Sequence, residues 1–207
     1  MDKGKKGIDF ANKNRIYISQ IVGVILIVLI LFTSDPWPDH SIIDALFEFA
    51  GFILVVICTL GRLWTLMYVS GYKEDKVVTQ GPYSMVRHPL YFFSFIGASG
   101  IGLASKNILA LLIILVGFVI YYPFVLLSEE TRLTKAHGEE YIKYMQKTPR
   151  FLPKFSLFSE PDMYNVNVKV FRKSFFDVMW FLWFFLIIRI IERLHTTGLV
   201  PVLFQIP

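Results

Sequence analysis

Residues 89–127 read PLYFFSFIGASGIGLA, then SK, then NILALLIILVGFVIYYPFVLL. Two apolar runs joined by Ser105-Lys106 alone leave room only for a tight antiparallel pair. An unpaired backbone is not tolerated in lipid, so both runs are expected to be helices. The first, Pro89 to Ala104, covers about 24 Å at roughly 1.5 Å per residue, less than the ~30 Å of a bilayer core. It therefore thins the bilayer locally or begins below the headgroups. The second, Asn107 to Leu127, is long enough to cross.

Outward from this hairpin, three more runs have spanning length: Ile16 to Phe32, Ala45 to Val69, and Phe175 to Ile191. Hydrophobic residues make up 55% of the 207 and the mean hydropathy is +0.54, beyond what the core of a soluble domain needs. The expected architecture is all-α: a polytopic transmembrane helical bundle of about five spans, with residues 1–207 forming a single integral membrane domain in a lipid bilayer. Ile16 to Phe32 is long for a signal-peptide h-region and no small-x-small cleavage site follows it, so we expect a permanent helix, with Thr33 to Pro38 as an interfacial turn.

The net charge is +5, yet the basic residues are not interleaved with aromatics along a soluble face, and no nucleic-acid partner is expected. They collect in connectors. Lys3, Lys5, Lys6, Lys13 and Arg15 precede the first span; Lys73, Lys76 and Arg87 follow the second; Arg132, Lys135, Lys143, Lys147, Arg150, Lys154, Lys169, Arg172 and Lys173 follow the fourth. The opposite connectors hold acids and Lys106. The positive-inside rule then places the amino terminus and all three basic segments in the cytoplasm and the carboxy-terminal tail outside. Arg189 and Arg193 run against that rule, with Glu192 available to offset one. The single cysteine, Cys58, excludes disulfides and CxxC chemistry and reads as a packed or lipid-facing residue. His40, His88, His137 and His195 lack metal-ligand spacing, so no metal is expected.

Two polar segments are brought together by the hairpin, and both carry candidates for chemistry. In Gly81-Pro82-Tyr83-Ser84-Met85-Val86-Arg87-His88-Pro89-Leu90-Tyr91, Gly-Pro makes a turn and Pro89 suits the first position of a helix. His88 is then at a helix amino terminus, where the dipole disfavours imidazolium and free N–H groups favour an anion. A plain interfacial Arg, His and Tyr is the alternative. Glu129 and Glu130 close the fourth span; two carboxylates at a helix carboxy terminus near hydrocarbon are unfavourable unless a cation is bound. Being about 100° apart, one can face a pocket while the other faces Arg132 or solvent. A solvated pair marking the helix exit is the alternative. Arg62, two turns inside the second span, either lines a functional site or snorkels. Ser94, Ala98 and Gly102 form a small-residue stripe expected to pack on the fourth span. Gly97 to Gly102 lacks the spacing and the preceding strand of a dinucleotide fingerprint. Beyond the carboxylates, His137 to Tyr144 reads as a short charged helix, followed by Pro149-Arg150-Phe151-Leu152-Pro153. Phe151, Leu152, Phe155, Leu157 and Phe158 are expected at headgroup level.

Taken in order, Gly81-Pro82-Tyr83, Arg87-His88-Pro89-Leu90-Tyr91, a helical hairpin, Glu129-Glu130-x-x-Leu133, Gly138-x-x-Tyr141 and Pro149-Arg150 through Pro153 closely resemble the isoprenylcysteine carboxyl methyltransferase family and its phospholipid N-methyltransferase relatives. The resemblance covers roughly Gly61 to Pro153, the expected methyltransferase core. It implies a cytosolic pocket that binds S-adenosylmethionine without a Rossmann domain. Tyr83, His88 and Tyr91 would contact the cofactor, Glu129 would pair with its amino group, and Tyr141 and Arg150 would close the pocket. Arg87 would steer an acidic acceptor, and Glu130 or His88 would serve as base if the acceptor were an amine; Arg87 and Glu130 are the catalytic candidates. No dedicated His-Asp pair is visible, which leans toward an acceptor already ionised, such as a prenylated cysteine carboxylate or a similar lipophilic acid. A phospholipid amine acceptor and a catalytically silent scaffold are the alternatives. Where many relatives have a glycine two residues after the motif tyrosine, this chain has Phe93, whose bulk is expected to bear on the cofactor or lipid entrance.

Overall fold

The computed structural model describes residues 21–34, 42–70, 72, 76–201 and 204–205. The basic amino-terminal segment, the start of the first expected span, Asp35 to His40 and Lys73 lie outside them. Among the described residues the regular structure is helical, apart from a two-residue parallel pairing of β1 (Thr33–Ser34) with β2 (Phe204–Gln205).

The helices are α1 (Ile21–Phe32), α2 (Ile42–Val69), the one-turn α3 (Pro82–Met85), α4 (Pro89–Ala104), α5 (Ile108–His137), α6 (Glu139–Lys147), α7 (Val168–Val178) and α8 (Trp180–Thr196). Three segments are long and apolar enough to cross a membrane: α2, α5, and α7 with α8. Shorter apolar helices, α1 and α4, complete the set. These helices leave large apolar side chains exposed, Val119 at 71% and Ile120 at 62% on α5 among them, a surface suited to lipid. The chain is a multi-pass membrane protein.

The hairpin follows the sequence reading. Pro89 opens α4 behind His88, and Lys106 (φ 54°) turns the chain. The Asn107 side chain then caps α5 by accepting from the Ala110 N–H at 2.8 Å. Two boundaries differ. Hydropathy ends at Leu127, but α5 continues to His137, where Gly138 (φ 55°) stops it. Backbone hydrogen bonding is indifferent to side-chain polarity, so Glu129 and Glu130 stand two turns inside a helix and not at its carboxy terminus. The last span is broken at Met179 into an amphipathic α7 and an apolar α8.

The small-residue stripe is corrected as well. The closest approach of α4 is to α2: a Cβ on Gly51 would lie 2.6 Å from the Gly100 carbonyl oxygen, and Gly97 receives the Cys58 side chain. Cys58 is fully buried there. Of the stripe, Ser94 accepts from Arg62 of α2, while Gly102 faces α5, against Leu111 and Ile114. Val55, Ala104 and Phe185 form a core between α2, α4 and α8, while Ile30 of α1 packs with Ala110, Ile188 and Ile191.

At the hairpin tip Lys106 is buried and pairs with Asp44 of α2 and Glu192 of α8. Arg189 pairs with Glu48 at 2.9 Å and Glu192 at 2.6 Å and donates to the Ala104 carbonyl. Asn107 Nδ2 donates to Thr33 Oγ1 at 2.8 Å. The discordant Arg189 is thus neutralised within the bundle, at the end opposite the polar segments of the motif.

Candidate functional site

At the other end, two stretches far apart in sequence lie side by side. The Arg87 N–H donates to the Pro149 carbonyl at 2.8 Å, Lys154 N–H to Met85 at 3.0 Å, and Gly81 N–H to Ser159 at 2.8 Å. Tyr144 hydroxyl donates to the Tyr83 carbonyl at 2.7 Å. Gly81 (φ 59°) is required twice over: by its left-handed backbone and by the Tyr68 ring, which fills the space a Cβ would take.

These stretches, with α2, α4, α5 and α7, enclose a cavity of about 430 Å³, within the range of small-molecule sites. Six of the eight residues singled out from sequence line it: Tyr83, Arg87, His88, Tyr91, Glu129 and Tyr141. Glu130 and Arg150 do not. Glu130, 5% exposed, instead receives Arg87 Nη1 at 2.8 Å, His88 Nε2 at 3.2 Å, and Arg150 through Nε at 3.0 Å and through Nη2. A carboxylate that takes two guanidiniums and an imidazole edge fixes all three. The hydrogen bonds to Glu130 push the Arg150 pKa up, so the guanidinium stays charged.

Glu129 is placed differently. Its Oε1 lies 3.9 Å from Arg132 and its Oε2 3.8 Å from His88 Nδ1. Oε2 is buried without a hydrogen-bond partner. Three more cavity-lining groups share that condition, namely Arg62 Nε, Ser70 Oγ and Arg87 Nε. Buried polar atoms are almost always paired, and four unpaired ones around one cavity call for a polar ligand. An acceptor oxygen with negative charge suits an ammonium; two guanidinium N–H donors suit a carboxylate. An amino acid moiety carries both, so the donor set fits a cofactor with a methionine-like end.

Three phenols at the cavity stay neutral through burial. Burial pushes the phenol pKa of Tyr83, Tyr141 and Tyr144 well up, with nearby Glu129 or Glu130 adding to the rise at Tyr83 and Tyr141. Tyr91 meets Tyr122 edge to face at 5.4 Å, and Tyr122 stacks on Phe118.

Arg62 does not snorkel: it donates to Ser94 Oγ, lies 5.4 Å from the Phe181 ring centroid and lines the cavity. Phe93 stays out of the cavity, its ring filling the notch left by Gly61 on α2. Phe151 packs on Phe92 and Phe95. Leu152 and Phe155 are exposed, 72% and 74%. Sequence reasoning missed the His88–Glu130 pair, which joins positions 42 apart, and the wall made by Val170 and Ser174, for which the amphipathic pattern of α7 is the only signal. Among the described residues no group of three His, Cys, Asp or Glu side chains could hold a metal ion.

A family model described as phospholipid methyltransferase matches residues 18–140. The chain is 33% identical over 198 residues to the nickel-cobalt-cadmium resistance protein NccN of Alcaligenes xylosoxydans xylosoxydans, covering 96% of this chain and 92% of that one. It is 30% identical over 190 residues to the cobalt-zinc-cadmium resistance protein CzcN of Cupriavidus metallidurans, covering 92% and 87%. A protein-S-isoprenylcysteine O-methyltransferase of Schizosaccharomyces pombe is 31% identical over 81 residues, covering 39% and 34%. No solved structure matches the chain.

Proposed function

The chain belongs to the phospholipid methyltransferase family, and from that premise we propose that it transfers a methyl group from S-adenosylmethionine to a lipophilic acceptor, with the cavity and the amino terminus facing the cytoplasm. The observation that carries this reading is the unpaired Glu129 Oε2 in the cavity wall, a buried acceptor atom on a carboxylate whose other oxygen lies 3.9 Å from Arg132. When bound, S-adenosylmethionine supplies an electrophilic methyl group on a sulfonium, which an acceptor displaces in line.

The residues then have distinct duties. Glu129 accepts hydrogen bonds from the cofactor ammonium. Arg62 and Arg87 each offer an unpaired Nε–H to a carboxylate, either that of the cofactor or that of the acceptor. Tyr83, Tyr141 and Tyr144, neutral through burial, keep water from the reacting centre, where positioning and dryness lower the barrier. Glu130 acts through others, holding Arg87, His88 and Arg150 in place. The acceptor we favour is a carboxylate on a lipid-like tail, since it needs no base and the cavity has guanidinium donors to receive it.

A second reading is favoured by one contact. His88 Nε2 stands 3.2 Å from Glu130 Oε1, the kind of oriented imidazole that an amine acceptor requires to lose its proton. Phospholipid amines are then the acceptor class. The resistance named for the full-length relatives supplies a setting for either reading: a methylated membrane component in cells exposed to those metals.

Calorimetric titration of detergent-purified protein with S-adenosylhomocysteine is the test. Saturable binding that Glu129→Ala weakens at least tenfold, about 1.4 kcal/mol, is the expected result; a folded sample that binds nothing overturns the reading. Methyl label from S-adenosylmethionine then separates the acceptors. A base-labile product, released as methanol, is an ester; a base-stable one is an N-methyl lipid.

A further inference from the structure

One wall of the cavity is built unlike the others. α7 contributes Val170 and Ser174 to the lining, yet of its 11 residues only Val178 is buried. Lys169, Arg172 and Lys173 are exposed, so α7 has water on one side and the cavity on the other. α6, which supplies Tyr141 and Tyr144 to the same lining, is anchored: both side chains are buried, and the Tyr144 hydroxyl donates to the Tyr83 carbonyl at 2.7 Å. A wall helix with almost no buried side chain belongs to the low-stability end of a fold, from which active-site lids are drawn.

The segment that carries α7 is fixed at its two ends. Before it, the Ser159 N–H donates to Ser84 Oγ at 3.0 Å, and the Ser159 carbonyl accepts from the Gly81 N–H at 2.8 Å. After it, Met179 joins α7 to the apolar α8 through one tight turn, its N–H bonded to the Phe176 carbonyl at 3.2 Å, with the fully buried Val178 beside it. Between those ends, among the described residues, the ties to the bundle centre on Tyr164. Its hydroxyl donates to the Tyr68 carbonyl at 2.8 Å, and its ring meets that of Tyr68 at 4.6 Å. Lys76 Nζ lies 5.0 Å from its ring centroid, within the ~6 Å over which a ring face attracts a cation. The Tyr68 hydroxyl donates to Glu160 on the same segment. Tyr68 is 4% exposed on α2 and Lys76 lines the cavity, so these contacts fasten the segment to the cavity's edge.

We propose that residues 160–178 are a lid over the cavity, hinged at Met179 and latched where Tyr164 meets Tyr68 and Lys76, and that it opens on the water side to pass the methyl donor. The lid rests on the function proposed above. S-adenosylmethionine carries an ammonium, a carboxylate and a sulfonium, charges that hydrocarbon does not admit, so it enters from water. On that side α7 is the wall with least holding it. A junction between two helices is the kind of place where a hinge absorbs a change in backbone angles.

Hydrogen exchange of the full-length chain in an uncharged maltoside detergent, followed by mass spectrometry, tests the lid. Without ligand, the amides of 172–178, bonded within α7, are expected to exchange at least tenfold faster than those of 143–147 in α6. Tyr164→Phe removes the latch hydroxyl. It is expected to speed exchange over 172–178 at least threefold while 143–147 and 183–193 stay within twofold; equal speeding of all three would be a general loss of stability and overturns the latch. Saturating S-adenosylhomocysteine is expected to slow 172–178 at least tenfold. Exchange over 172–178 as slow as over 143–147, or unmoved by Tyr164→Phe, overturns the lid. So does saturable binding of S-adenosylhomocysteine that leaves 172–178 unprotected, with the cofactor reading left standing. A chain that binds no S-adenosylhomocysteine overturns the cofactor reading instead, and the comparisons without ligand still decide the lid.

Discussion

Adjacent carboxylates differ here because one helical step turns them to different surroundings. Glu130 is surrounded by cations and nearly sealed; Glu129 faces the cavity with an unsatisfied oxygen. Substitution should separate the two. Glu130→Gln leaves two guanidiniums facing a neutral amide, and breaking a buried pair of this kind costs about 3 kcal/mol. A lower melting temperature in detergent is the expected reading, with loss of turnover. Glu129→Gln removes a charge whose ion pair, to an exposed Arg132 at 3.9 Å, is worth little, so the melting temperature holds while S-adenosylhomocysteine affinity falls at least tenfold. If both substitutions lower stability alike, the division of roles is wrong. The buried phenols add a pH limit. Tyr83, Tyr141 and Tyr144 have raised pKa values in the folded chain, so above pH ~10 the unfolded state loses phenol protons first and stability falls with rising pH. A melting temperature that stays flat from pH 9 to 11 would contradict that. The sequence made the Glu129–Glu130 divergence legible through the 100° step, but not which arginines answer it. Arg150 reaches Glu130 only because Pro149 pairs with the Arg87 backbone, a long-range contact with no local signature.

At the scale of elements, legibility followed the strength of the breaking signal. Pro89 and Ser105-Lys106 bound α4 where the sequence placed them, because proline and a two-residue turn act on the backbone directly. The end of α5 was misplaced because a hydropathy boundary marks the lipid and not the helix. The break at Met179 has no glycine or proline to announce it. Packing between α2 and α4 gives a paired prediction. Gly61→Ala drives a methyl group into the Phe93 ring, an overpacking worth about 1–3 kcal/mol. Phe93→Gly alone opens a void there, and the two substitutions together should recover part of each loss. Thermal melts of the four proteins close the cycle; additive losses would mean that the residues do not touch. The same notch explains why a phenylalanine can replace the relatives' glycine without obstructing the cavity.

For the whole molecule, one end is tied by Lys106, Asp44, Glu192 and Arg189, the other by Glu130 with its two arginines. The charge pattern predicts which end lies inside. Cys58 is fully buried, so it gives little background for thiol labelling of single introduced cysteines. Leu152→Cys, at the cavity end, should react with a membrane-impermeant maleimide only after permeabilisation, and Thr197→Cys should react in intact cells. The reverse pattern would invert the topology. The short α4 bears on supply of the acceptor. Its 16 residues rise about 24 Å, so with the hairpin tip at one edge of a ~30 Å hydrocarbon layer the first turn, bearing Leu90 and Tyr91, remains within that layer. Under the proposed function, a tailed acceptor would reach the cavity by sliding sideways in two dimensions, and the concentration governing turnover would be its mole fraction in the membrane. Diluting the acceptor with inert lipid at constant bulk amount should slow the reaction, as adding buffer should not.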